Sequence, residues 1–129
     1  VKLALDFLLK WEHTGLMMIA KTTAVRRLIA QVNQTVFDGD LPIDLIDLDI
    51  DFQDDVWGYC VPSDEVDGRI LLGLTDRFES RQQFANTVVH ELIHAMQIYN
   101  EATVGHDTHM WDHYVMLAEG AGYQIHVTY

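Results

Sequence analysis

The chain predicts an α+β domain, and three observations carry that reading. Apolar residues recur at helical spacing between Ala24 and Val36 and again from Phe84 onward. Between those stretches apolar and polar residues alternate, the period-two pattern of half-buried strands. With 129 residues, 49% of them hydrophobic and 22% charged, the chain suits one globular domain with a real core. The predicted order is helix, three-stranded sheet of mixed or antiparallel strands, helix, loop, helix.

Residues 1–21 are expected to be an N-terminal extension, and residues 22–129 the domain. Leu3, Leu5, Phe7, Leu8, Leu9 and Trp11 form an apolar run interrupted by Lys2, Asp6 and Lys10, which suggests a short amphipathic helix. The run is too short for a membrane span, and no A-x-A cleavage pattern follows it. A chain beginning at Val1 suggests trimming, with Met17 or Met18 as an internal start.

From Thr22 to Phe37, Ala24, Val25, Leu28, Ile29, Val32 and Val36 form the inner stripe of a helix, and Arg26, Arg27 and Gln31 its outer face. Thr22 or Thr23 is expected to cap it and Gly39 to end it. Ile46, Leu48, Ile50 and Phe52 then alternate with Asp47, Asp49 and Asp51, a strand with a solvated acidic face. Those aspartates lack the glycine and glutamate placement of a calcium-binding EF-hand loop. Val56 to Val61 reads as a second strand, Pro62 to Gly68 as a turn, and Arg69 to Leu74 as a third, nearly all-apolar strand. Tyr123 to Tyr129 alternates weakly and is a candidate fourth strand.

The stretch Ser80-Arg81-Gln82-Gln83 starts the next helix as a capping box, serine followed by glutamine three residues on. Phe84, Val88, Leu92 and Ala95 continue it to about Asn100. This helix carries His90-Glu91-Leu92-Ile93-His94, an H-E-x-x-H pattern. Four residues advance a helix by about 6 Å and slightly over one turn, so His90 and His94 share a face and can address one cation. Zinc takes histidine nitrogens at about 2.0–2.1 Å and, in catalytic sites, leaves one position to water. Glu91 lies beside the first histidine, where a carboxylate can serve as general base toward that water.

A third ligand is required, and several residues downstream qualify. His106, His109 and His113 follow one another within eight residues, and Glu119 is a separate candidate. Asp107 can accept a hydrogen bond from a ligating ring, or Asp107 or Thr108 can cap the last helix. His109, His113 and Tyr114 are candidates to steady developing oxyanion charge.

The residues His90-Glu91-Leu92-Ile93-His94-Ala95-Met96-Gln97, followed by Gly105-His106-Asp107-Thr108-His109-Met110-Trp111, resemble the SprT-like zinc metalloproteases. The second signature of that family reads roughly G-H-G-x-x-F-W. Asn33, Phe37, Leu41 and Pro42 are similar to its N-x-x-x-F-x-x-x-L-P segment. The resemblance runs from about Thr22 to about Ala118. It departs at Asp107, where the family usually has glycine, and at Met110, where it usually has phenylalanine. It implies a small zincin-like domain with Zn2+ held by His90, His94 and His106 and with Glu91 as catalytic base. The expected function is a zinc-dependent endopeptidase acting on a protein or peptide substrate, held in extended form by one edge of the sheet as in strand addition.

Several SprT-like proteins act on DNA-linked proteins, commonly with added DNA-binding elements or a cysteine-rich zinc ribbon, and the sequence has no such ribbon. Its formal net charge of −12 disfavours strong nucleic-acid binding by this chain alone. The single cysteine, Cys60, cannot form an internal disulfide, which points to a reducing, cytoplasmic setting and to a packed strand residue. The alternative of another class is a noncatalytic, acidic zinc-binding module that engages a basic partner or mimics DNA. A structural site of that kind would be closed by four protein ligands, such as His90, His94, His106 and His109. Zinc hydrolysis of a non-peptide substrate is a third option.

Overall fold

The computed structural model describes residues 18–51 and 55–125. Their order is β1 (Met18–Ile19), α1 (Thr22–Thr35), a 3-10 turn (Ile43–Leu45), β2 (Ile46–Ile50), β3 (Gly58–Pro62), β4 (Ile70–Leu74), β5 (Arg77–Phe78), α2 (Arg81–Tyr99) and α3 (His109–Gly120). The fold is α+β, as the periodicity predicts.

The first helix buries Ala24, Val25, Leu28, Ile29 and Val32, the expected stripe. Its N-terminus departs from expectation: Lys21 is the cap residue, extended, and no side chain supplies a capping bond. Beyond its end, Asp38 and Gly39 both take left-handed backbone angles, and Gly39 N–H donates to the Asn33 carbonyl at 2.8 Å. The buried Asn33 side chain then clasps Leu41, donating to its carbonyl and accepting from its N–H, each at 3.0 Å. One amide thus pairs both backbone groups of a buried loop residue that has no strand partner.

In the three-stranded sheet the order is β2-β4-β3, with β4 parallel to β2 and antiparallel to β3. Strand β4 is central, which explains why its sequence is apolar almost throughout instead of alternating. Gly73 interrupts that run because Tyr59 of β3 lies over it: a Cβ at Gly73 would come within 2.1 Å of the tyrosine ring. The ring crosses β4 completely, and its hydroxyl donates to Asp49 of β2 at 2.9 Å. Asp47 is also engaged, by a two-point pair with Arg69 at 3.0 and 2.8 Å. The acidic face of β2, expected to be solvated throughout, is therefore partly tied down by its neighbours.

Strands β1 and β5 form a separate two-residue antiparallel pair that the sequence patterns do not reveal. Met18–Ile19 is strand, so the expected N-terminal helix does not extend to Lys21; the rest of that expectation, residues 1–17, lies outside the described residues. The candidate fourth strand at the C-terminus is not seen in residues 123–125, and residues 126–129 lie outside the described part. Phe52, expected at the end of β2, also lies outside it.

Helix α2 is the hub. Every residue from Phe84 to Gln97 is buried, so this is a core helix enclosed on all sides, not the one-sided amphipathic helix expected. It packs on β3, β4, α1 and α3. Contact with β3 is close at Gly58, where a Cβ would meet Gly73 O, Leu74 Cδ2 and Thr87 Cγ2 at 3.1 Å each. Among the described residues, no helix is long and apolar enough to cross a membrane.

Candidate metal centre

Helix α2 begins at Ser80, whose hydroxyl accepts from Gln83 N–H at 3.0 Å. The Gln83 side chain reaches back to Glu79 N–H at 2.8 Å, one residue earlier than in the usual capping box. That start fixes the helix phase, and two and a half turns later His90 and His94 meet edge to face, with ring centroids 5.1 Å apart.

Past Tyr99 the chain reverses. Asn100 Nδ2 donates to Met96 O at 2.8 Å, Glu101 takes a left-handed turn at φ 55°, and Ala102 N–H returns to Gln97 O at 2.9 Å. The following loop brings His106 onto the histidine pair. His106 Nε2 lies 3.1 Å from His94 Nε2 and 3.2 Å from His90 Nε2. Two nitrogens bound tetrahedrally at 2.0–2.1 Å to one ion lie about 3.3–3.4 Å apart. The observed separations come close to that value, and imidazole nitrogens are donors of the right kind. Among the described residues this is the group of three or more ligating side chains held together: His90, His94 and His106. The three residues can hold a metal ion.

Glu91 lies beside the group, with Oε2 at 4.0 Å from His90 Nε2. It is 6% exposed, and burial raises its pKa to about 7. Burial lowers the pKa of His94, chiefly by desolvation, which favours the neutral ring that a metal needs. Cys60 of β3 is half-buried; desolvation and the nearby Glu91 carboxylate push its thiol well up, so it stays protonated.

The other candidates are placed differently. Asp107, His109 and His113 are exposed, and so is Glu119. Asp107 does not cap α3; Thr108 does, accepting from Trp111 N–H at 3.0 Å. His109 stands outside the histidine group. Tyr114 packs edge-on against Phe37 with centroids 5.0 Å apart, and His113 rests against Tyr114.

Two residues inside the quoted motifs, Gln97 and Trp111, hold places in the site that the motifs alone do not assign. Gln97, fully buried, meets His94 Nδ1 at 2.7 Å through Oε1. Its Nε2 donates to Gly105 O at 2.9 Å and to Thr108 Oγ1 at 3.1 Å. Trp111, 4% exposed, lies against all three histidine rings, with centroids 4.9 Å from His90, 5.1 Å from His94 and 4.5 Å from His106. A signal existed for each. Gln97 lies three residues after His94, hence on nearly the same helix face, and tryptophan five residues after a candidate ligand is a natural wall.

No protein-family model, curated protein or solved structure matches this chain. The SprT-like resemblance therefore rests on the motif residues themselves.

Proposed function

We propose that the protein is a zinc-dependent endopeptidase of SprT-like type. The observation that carries this reading is the convergence of three histidine Nε2 atoms, two of the separations being 3.1 and 3.2 Å, with a buried carboxylate alongside. A structural zinc site needs four protein ligands. Among the described residues the group has three, and His109, the expected fourth, is exposed. That favours an open, catalytic arrangement over the closed binding module.

When bound, zinc supplies Lewis acidity, lowering the pKa of a water molecule and polarising the scissile carbonyl. His90, His94 and His106 fix the position at which that acidity acts. Glu91 is the carboxylate beside that position, with Oε2 at 4.0 Å from His90 Nε2. It accepts the proton of the attacking water at a carboxylate oxygen and returns it to the departing amine. Trp111 backs the three rings and keeps water from their rear.

The substrate is an extended peptide laid along β3. Of the two outer strands of the sheet, β3 is the one packed across α2, and its Cys60 neighbours Glu91. The acidic surface suits a basic or neutral polypeptide, and any DNA-associated substrate would be reached through its protein part.

The test is Glu91→Gln in zinc-loaded protein, with unfolded casein as substrate. Zinc content stays at one per chain and hydrolysis is lost, as it is in the parent after chelation. Hydrolysis by Glu91→Gln at the parental rate removes Glu91 as base.

A further inference from the structure

We propose that Gln97 is the positioning residue that sets the ring state of His94 and, through the same amide, holds the loop bearing His106. A carboxamide offers two donor hydrogens and an oxygen with two acceptor sites. Gln97 uses all of them. Its oxygen faces His94 Nδ1 at 2.7 Å and accepts from Gly105 N–H at 3.3 Å. Its nitrogen donates to Gly105 O at 2.9 Å and to Thr108 Oγ1 at 3.1 Å.

The orientation of this amide is not a free choice. Gly105 presents its carbonyl to one end and its N–H to the other, and neither can exchange roles. Turning the amide over would set NH2 against N–H and oxygen against oxygen in a buried place, where unpaired polar groups are costly. The Gly105 backbone therefore fixes Oε1 toward His94. An oxygen there requires the proton on Nδ1, which leaves Nε2 with its lone pair bare and aimed at His106 and His90.

The circuit continues outward. Gly105 immediately precedes His106, so the amide that sets one ligand's ring state also anchors the next ligand's backbone. Thr108 passes the connection to Trp111 by accepting from its N–H, and the Trp111 ring lies on all three histidines. The ring state of His94 and the docking of the 105–108 loop are thus coupled through one side chain. This inference rests on the metal-centre reading only for its consequence in zinc affinity.

The experiment compares Gln97→Met and Gln97→Glu with the parent. In metal-free protein, imidazole nitrogen NMR reports the His94 tautomer, and amide hydrogen exchange reports Gly105 and His106. Zinc affinity is then measured by competition with a chelating dye. The parent shows a single Nδ1–H tautomer and protected loop amides. Gln97→Met shows mixed tautomers, unprotected loop amides and a 10- to 100-fold loss of zinc affinity, the range typical of partners behind a ligand. Gln97→Glu keeps the tautomer, because a carboxylate still accepts from Nδ1–H. It releases the loop, because it cannot donate to Gly105 O or Thr108 Oγ1.

A Gln97→Met protein with the parental tautomer and loop protection overturns the proposal. Should that variant fail to fold, Gln97→Glu decides alone, and parental loop protection in it is the overturning result. If the parent itself takes up no zinc, the metal reading fails, while the tautomer and exchange measurements on metal-free protein still judge Gln97.

Discussion

Glu91 is an acid buried in a core helix, and its titration is the sharpest single-residue handle on this protein. Its pKa in the folded chain is about 7, above the ordinary 4.5, because burial penalises the charged form. A raised folded pKa means that the neutral form is favoured on folding. The resulting stability is complete below pH 4.5 and is lost as pH rises through about 7. In metal-free protein, Glu91→Gln should match the parent near pH 4.5 and exceed it by roughly 3 kcal/mol at pH 8. Urea unfolding of both proteins at the two pH values checks this, and other titrating groups cancel in the difference. Equal stability at pH 8 would show that the carboxylate is better solvated than its surroundings indicate. Cys60 makes a companion case: its raised pKa predicts slow reaction with a disulfide reagent at pH 7 in folded protein and fast reaction after unfolding.

At the scale of elements, the row Asp49, Gly73, Tyr59 runs across all three strands of the sheet at one register level. Gly73→Ala drives a methyl group into the Tyr59 ring and should cost about 1–3 kcal/mol. In a Tyr59→Ala background most of that cost disappears, so a double-mutant cycle of melting curves detects the coupling. Additive effects would place the ring elsewhere. This row also illustrates what sequence patterns convey. Alternation in β2 and the apolar run of β4 mark both as strands, because each reflects one residue's own burial. That β4 lies between β2 and β3 depends on pairings between distant segments, which no local period encodes. The helices were legible for the same reason as the strands, and the β1–β5 pair was not, since two residues carry no period. In the histidine group, His90 and His94 were legible from helical spacing and His106 from the resemblance. Gln97 was not, because its importance comes from Gly105 and Thr108, which reach it only after the Glu101 turn.

For the molecule as a whole, charge and metal act on the same equilibrium. Twenty acidic residues against eight lysines and arginines repel one another in the compact state. Raising sodium chloride from low ionic strength to about 0.5 M, where screening lengths shrink to several ångström, should raise the melting temperature of the metal-free protein. On the proposed reading, zinc binding should add stability by mass action, about 4 kcal/mol at a thousand times its Kd. His106→Ala should abolish most of that increment while leaving the metal-free melting temperature nearly unchanged, because the ring is only half-buried. Calorimetry with and without zinc measures both effects. A parental zinc increment in His106→Ala would show that the loop histidine does not take part.

The enclosure of α2 from Phe84 to Gln97 has a consequence for how such a protein can change. His90 and His94, which can hold a metal ion, are also bricks of its interior, so a mutation there alters shape and chemistry together. On the proposed endopeptidase reading, variation in substrate is better accommodated in β3, with its exposed Val61, and in α3, with its exposed Met116 and Leu117. A library randomised over those two elements should yield folded proteins of altered preference far more often than one randomised over the central helix.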